Sequence, residues 1–288
     1  MPDIAYVNGT YIPIAEARVS ILDRGFLFAD GVYEVAAVIG GRLIDNETHL
    51  SRLERSLREL RIESPVSVAR IAAVEAELVA KNGLSEGLVY LQITRGAAGD
   101  RDFGFPDDTT PTFVAFTQRK NIIASIAAET GVNVLTVPDL RWARRDIKSI
   151  ALLAQVLAKQ AALESGCQEA WMIDRDGLVT EGSSSTAFIL TKADVLVTRP
   201  NSAAILPGCT GKVVQSLAAR EGIAVEERGF SVEEAYEAKE AFLTSASNLV
   251  LPVVSIDDRP VGSGKPGEKS RLLRALYVEW ATNAAVTS

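Results

Sequence analysis

Ile4-Ala5-Tyr6-Val7-Asn8-Gly9-Thr10-Tyr11-Ile12-Pro13 sets two short apolar runs on either side of Asn-Gly, the dipeptide that tight hairpins favour because both turn residues need positive φ. An antiparallel hairpin here argues for an α+β fold and against a doubly wound parallel sheet. Working outward, the β-branched run at residues 33–39 turns at Gly40-Gly41 into residues 42–44, a second hairpin. Leu50, Leu53, Leu57 and Leu60 recur at helical spacing over residues 48–62, and a second periodic segment covers residues 68–81 before Gly83. Residues 88–94 and 112–117 read as buried strands. The Gly/Asp/Pro-rich loop between them, residues 96–111, is long enough to imply a functional role.

Polar residues 118–121 read as a linker, which divides the chain into domains 1–120 and 121–288. The second domain starts with a strand at residues 132–137. Lys148 precedes a helix that ends near Gly166 and carries Leu153, Val156, Leu157 and Leu163 on one face, a face expected to pack on something. Strands are predicted at residues 169–173, 178–181, 185–190 and 195–198, the first two joined through Asp176-Gly177. A helix over residues 210–221 follows, then one opened by the capping box Ser231/Glu234, strands at 241–244 and 250–256, and a closing helix at 268–283.

With 288 residues, 47% of them hydrophobic, the chain can bury a full core. Its net charge of −7 carries no basic run, which argues against nucleic acid as a partner. No apolar run approaches the roughly 18 residues of a membrane span, and no targeting pattern opens the chain, so a cytoplasmic location is expected. Cys167 and Cys209 read as free thiols. The single histidine, His49, argues against a His-rich metal site and reads as structural. The antiparallel hairpins do not suit the parallel strand–helix–strand unit of a dinucleotide fold, so dinucleotide binding is not expected.

Several segments have the composition of a site. In Arg144-Arg145-Asp146-Ile147-Lys148-Ser149 a lysine sits between a strand region and an apolar helix, where partial burial would favour a nucleophilic amine, although position alone favours a surface lysine near a helix start. Thr180-Glu181-Gly182-Ser183-Ser184-Ser185-Thr186 combines a carboxylate with hydroxyls between apolar strands, suited to a pyridine nitrogen and ring or to a plain polar turn. Leu206-Pro207-Gly208-Cys209-Thr210-Gly211 runs into a helix whose first N–H groups can hold a phosphate, although Thr210 also suits an ordinary N-cap. Thr244-Ser245-Ala246-Ser247-Asn248 is a second anion candidate, and Arg52 on the first helix can act as a phosphate clamp.

Taken in order, Asp23-Arg24-Gly25, Asp30-Gly31-Val32-Tyr33-Glu34, His49-x-x-Arg52-Leu53, Asp146-Ile147-Lys148-Ser149, Glu181-Gly182-Ser183-Ser184-Ser185 and Leu206-x-Gly208-x-Thr210 resemble the fold-type IV pyridoxal-phosphate enzymes. The similarity spans essentially the whole chain and is greatest to the D-amino-acid aminotransferase branch. Branched-chain L-aminotransferases, R-selective amine transaminases and aminodeoxychorismate lyase share the scaffold, so fold alone does not choose the substrate.

The resemblance implies a two-domain homodimer with pyridoxal 5′-phosphate in the interdomain cleft. It implies that Lys148 forms the Schiff base and moves the proton, while Glu181 pairs with the ring nitrogen. Leu206 would pack on the ring and Ser184 and Ser185 would line the site. Arg52, Cys209, Thr210 and Ser245 would hold the phosphate. Tyr33 and Arg101 would receive the substrate carboxylate, on a loop arriving from the neighbouring subunit. Two positions depart from the family pattern: Phe103 stands where a histidine completes the carboxylate trap, and Ala246 where a hydroxyl assists the phosphate. The implied reaction is ping-pong transamination between a D-amino acid such as D-alanine and a 2-oxo acid such as 2-oxoglutarate. A non-catalytic binding protein on the same scaffold is the alternative from another class.

Overall fold

The computed structural model of the protein describes residues 3–283. Its backbone contacts separate two compact units, Met1–Asn121 with Ile147–Ala151, and Ile122–Asp146 with Leu152–Ser288. Residues 1–2 and 284–288, at the ends of the two predicted domains, lie outside the described residues.

The first unit is a six-stranded antiparallel sheet with two helices on one face. Its strands are β1 (Ile4–Val7), β2 (Thr10–Pro13), β3 (Gly31–Ile39), β4 (Arg42–Leu43), β5 (Glu86–Thr94) and β6 (Thr112–Arg119), in the order β2-β1-β6-β5-β3-β4. Both predicted hairpins are present, with Asn8 and the glycines at 9, 40 and 41 at positive φ. A short helix, α1 (Arg24–Phe28), precedes β3, and α2 (Asn46–Glu59) and α3 (Val68–Lys81) follow β4. Leu50, Leu53 and Leu57 of α2 and Ile71, Val74 and Leu78 of α3 pack with Leu91, Ile93, Phe113 and Ala115 of the sheet. Burial of each such leucine or isoleucine contributes roughly 1.5–3 kcal/mol. Residues 118–121 do not form the expected linker: Gln118 and Arg119 extend β6 by pairing with Leu88 and Gly87.

The second unit is built on a mixed sheet. Its strands are β7 (Val132–Pro138), β8 (Glu169–Ile173), β9 (Val179–Gly182), β10 (Thr186–Leu190), β11 (Val195–Thr198), β12 (Ala224–Glu227), β13 (Glu240–Ser245), β14 (Leu249–Ile256) and β15 (Arg259–Pro260). They run in the order β12-β11-β10-β13-β14-β7-β8-β9, with β15 on β14. Three parallel pairings, β7 with β8, β7 with β14 and β11 with β12, separate this sheet from the antiparallel one. The helices are α4 (Ile126–Thr130), α5 (Leu153–Glu164), α6 (Cys209–Arg220), α7 (Val232–Tyr236) and α8 (Glu268–Asn283). Ser231 caps α7 by accepting the Glu234 N–H at 3.1 Å, as the capping-box spacing predicts.

The inward face of α5 differs from expectation. Ala158 and Ala162 pack on Ala170 and Met172, while Leu153, Val156, Leu157 and Leu163 are between 53% and 72% exposed. Small residues let α5 lie close to the sheet, and this turns the larger leucines outward.

Candidate active site

Lys148 lies in an extended segment, not at a helix start. Ile147 inserts into the first unit's core, Lys148 O accepts the Tyr33 N–H at 3.0 Å, and Ile150 N–H donates to Gly31 O at 3.1 Å. Segment 147–151, read from the sequence as part of the second domain, thus clusters by its contacts with the first unit. The Lys148 N–H donates to Ser56 Oγ at 3.3 Å. These bonds fix the backbone on both sides, and the half-buried side chain sets Nζ 4.2 Å from the centroid of the Tyr33 ring. Gly31 is required by close approach: a Cβ there would lie 2.8 Å from Ile93 O.

Behind Tyr33 on the same strand, Glu34 is 1% exposed and receives the Arg52 fork, Nε to Oε1 at 2.8 Å and Nη2 to Oε2 at 2.7 Å. His49 Nδ1 lies 2.8 Å from Glu34 Oε2. Burial pushes the Glu34 carboxyl up, but Arg52 and His49 more than offset this and hold it at about 2. Beside them, burial drives the Glu75 carboxyl up to about 7, against a hydrogen bond donated by Asn46 Nδ2 at 2.8 Å.

The 96–111 loop is pinned by arginines. Arg24 donates from Nε to Asp30 at 2.8 Å and from Nη1 to Asp102 O at 2.6 Å, while Arg95 grips Asp30 at 2.7 and 3.0 Å. Gly25 makes room for this turn, since a Cβ would meet Thr94 Cγ2 at 2.3 Å. On the loop, the Arg101 guanidinium lies 5.0 Å from the Phe28 ring and 5.5 Å from that of Phe103, which is 75% exposed.

In the second unit, the next-to-last residue of β9 is Glu181, 5% exposed, whose Oε1 accepts the Leu206 N–H at 3.1 Å and a bond from Arg141 Nη1. Arg141 also grips Asp139, Nε to Oδ1 at 3.0 Å and Nη2 to Oδ2 at 2.7 Å, and Thr180 Oγ1 donates to Asp139 at 2.7 Å. Burial raises the Asp139 carboxyl, yet Arg141 and the Thr180 hydroxyl bring it below the usual carboxylate range.

Three residues beyond Leu206, α6 begins. Its N-cap is Gly208, which offers no side-chain cap, and Thr210 lies inside the first turn, so Thr210 does not cap the helix. Cys209 and Thr210 are buried there. A Cβ on Gly208 would stand 2.5 Å from Thr186 Oγ1. Thr244 Oγ1, a buried atom without a hydrogen-bond partner, lies 3.3 Å from where a Gly211 Cβ would be. Next in sequence, the Ser245 and Ser247 hydroxyls approach each other at 3.3 Å, flanking Ala246. Ser185 is buried and donates to Glu169 at 3.1 Å, whereas Ser184 is exposed. A surface cavity of about 700 Å³ in the first unit, lined by Arg18, Ser20, Asp108 and Thr110 among others, contains none of the predicted residues.

The profile of the family described as amino-transferase class IV matches residues 31–256, from the start of β3 to the end of β14. The chain belongs to this family. Among class IV aminotransferase relatives, the D-alanine aminotransferase of Bacillus licheniformis is 40% identical over 263 residues, 90% of each chain. That of Staphylococcus aureus (strain MSSA476) is 38% identical over 282 residues, covering 98% of this chain and 99% of the relative. The solved branched-chain amino acid aminotransferase of Thermobaculum terrenum (M4 mutant) superposes with a TM-score of 0.84 at 26% identity, over 98% and 94% of the two chains. An Escherichia coli branched-chain amino acid aminotransferase shares the fold at a TM-score of 0.90 and 22% identity, over 98% and 95%.

Asp139, Arg141, Glu169 and the role of Glu34 were not read from the sequence. Asp139-Leu140-Arg141 was a visible signal, an Asp-x-Arg pair just after a strand, but nothing in its spacing points to a glutamate 40 residues on.

Proposed function

We propose that the chain uses pyridoxal 5′-phosphate to transfer an amino group between a D-amino acid, such as D-alanine, and a 2-oxo acid, such as 2-oxoglutarate. The observation that carries this reading is the Lys148 amine, half-buried and held over Tyr33 by backbone bonds on both sides. Identity of 38–40% to D-alanine aminotransferases over most of the chain supports the substrate.

The residues fit the cofactor. The first N–H groups of α6 have no intrahelical acceptor, the glycine N-cap leaves them open to an anion, and the Thr244 hydroxyl is an orphaned donor beside them. Cys209 and Thr210 would give the phosphate their N–H groups, with Ser245 contributing a hydroxyl in place of the one lost at Ala246. Arg52 would add charge to the phosphate. Glu181, an ion-paired carboxylate, would face the ring nitrogen, and Leu206, Ser184 and Ser185 would line the ring. When bound, the cofactor supplies an aldehyde for an amine and an electron-withdrawing ring for the charge left at a substrate Cα. Lys148 would hold it and would move the proton at that Cα. Tyr33 and Arg101 receive the substrate carboxylate, and Phe103 offers an apolar edge where a second donor would otherwise stand.

A homodimer is part of this proposal, since Leu153, Val156, Leu157 and Leu163 form an exposed apolar stripe that a second copy would cover. Sedimentation equilibrium should give twice the mass of the 30.8 kDa chain. Among the described residues no helix is long and apolar enough to cross a membrane. We place the protein in the cytoplasm, where its buried free thiols, Cys167 and Cys209, stay reduced.

The test is purified protein assayed with D-alanine, L-leucine and R-1-phenylethylamine against 2-oxo acids. Turnover of D-alanine is expected. Turnover of L-leucine alone would make the branched-chain reading correct and end this one.

A further inference from the structure

Arg141 is a buried, heavily committed side chain in the second unit that the proposed chemistry leaves without a task. Its side chain is 6% exposed, and so is that of Glu181, while Asp139 is fully covered. Beyond its bonds to Asp139 and Glu181, Arg141 Nη2 lies 3.4 Å from Thr180 Oγ1, and Arg145 Nε stands 3.5 Å from Asp139 Oδ2. Arg141 thus meets the Glu181 carboxylate directly, Asp139 is linked to it through Arg141, Arg145 approaches Asp139 in turn, and Thr180 is the neighbour of Glu181 on β9.

Stability alone does not account for this cluster, because desolvation of buried ions consumes most of their mutual attraction. A backbone donor already holds Glu181, through Leu206 N–H. What the guanidinium adds is charge, delivered to the oxygen, Oε1, that also takes the Leu206 bond.

We propose that Arg141 is a positioning residue that acts through Glu181: it fixes the carboxylate and attenuates the negative potential reaching the ring nitrogen of the bound cofactor, with Asp139 limiting that attenuation. This rests on the function proposed above. A cation near protonated nitrogens lowers their proton affinity and an anion raises it. Removing the charge of Arg141 should therefore shift cofactor protonation to higher pH. Removing the charge of Asp139 leaves Arg141 uncompensated and should shift it to lower pH.

The experiment is a pH titration of the visible absorption of cofactor-loaded parent, Arg141→Gln, Arg141→Lys and Asp139→Asn. The midpoint should rise by about one pH unit in Arg141→Gln and fall by a similar amount in Asp139→Asn, with Arg141→Lys near the parent. Cofactor retention on dialysis should weaken about tenfold in Arg141→Lys, where charge survives but the fork is lost. A purely structural role would move Arg141→Gln and Asp139→Asn in the same direction or leave both midpoints within about 0.2 unit of the parent, and either result overturns the proposal. If Arg141→Gln does not fold, the sign of the Asp139→Asn shift decides. A parent protein without a visible band overturns the proposed function and this inference with it; a parent band that responds to Glu181→Gln but not to these variants overturns the inference alone.

Discussion

In the first unit Arg52 sets Nε and Nη2 against one carboxylate, Glu34, whereas in the second Arg141 divides its guanidinium between Asp139 and Glu181. Both clusters are buried Arg–Glu pairs, yet the working member differs. Glu34 is the deeper partner and aims Arg52, so the group presented is a cation suited to phosphate. Glu181 sits in β9 with its carboxylate on the Leu206 amide, so the group proposed to be presented there is an anion, with Arg141 as its support. The same ion pair can thus build an anion site or a cation site. Which one results depends on which partner is fixed by the backbone and which by the other partner's charge.

The comparison can be broken or sharpened by substitution, and the largest effects belong to the groups presented rather than to their supports. Lys148→Ala, which removes the amine both clusters are proposed to serve, should lower transamination by about 10³-fold or more in a steady-state assay. Glu181→Gln keeps the shape but removes the anion, and a loss of about 10²–10³-fold in kcat is expected. Glu34→Gln should act on folding as well. It leaves Arg52 buried with its countercharge gone, and about 3–5 kcal/mol should be lost in urea unfolding.

Glu75 sharpens the contrast because burial outweighs the Asn46 hydrogen bond and the nearby His49, which would favour the ionised carboxyl. Its folded value of about 7 lies above the ordinary 4.5, so it favours the fold at low pH, and that contribution is lost as pH rises from about 4.5 through 7. Glu34 has the opposite sign: its contribution is present above 4.5 and is lost as pH falls toward 2. Glu75→Gln should therefore raise stability at pH 8 by about 1–3 kcal/mol and change it little at pH 4.5, measured by urea unfolding at both. The smallest effect concerns the loop. Phe103→His restores a polar edge near Arg101 and should lower KM for D-alanine by about 2- to 10-fold with kcat little changed.

Where periodicity and burial agree, the elements were legible in the sequence. Val68–Lys81 and Glu169–Ile173 have the predicted bounds because burial runs along the whole element: Ile71, Val74 and Leu78 line one face of α3, while β8 is covered on both faces, Trp171 in one cluster and Ala170 and Met172 in another. The α5 face departs from its reading for a physical reason: periodicity says which residues share a side, but the side that approaches the sheet is chosen by the small Ala158 and Ala162. The helix α1 escapes a sequence reading because five residues carry no period, and only the Asp23 cap, which accepts the Gly25 N–H at 2.8 Å, marks it. For the proposed function, motif order pointed to Lys148 and Arg52 in the first unit and to Glu181 and the α6 N-terminus in the second. Pairings between distant residues, Glu34 with Arg52 and Arg141 with Glu181, depend on strand register and carry no local signature.

Borohydride reduction of the purified protein followed by peptide mapping tests the central claim most directly. The account predicts a yellow protein that bleaches on reduction and carries a phosphopyridoxyl label on Lys148. A label on any other lysine, or reduction that leaves position 148 unmodified, would contradict it.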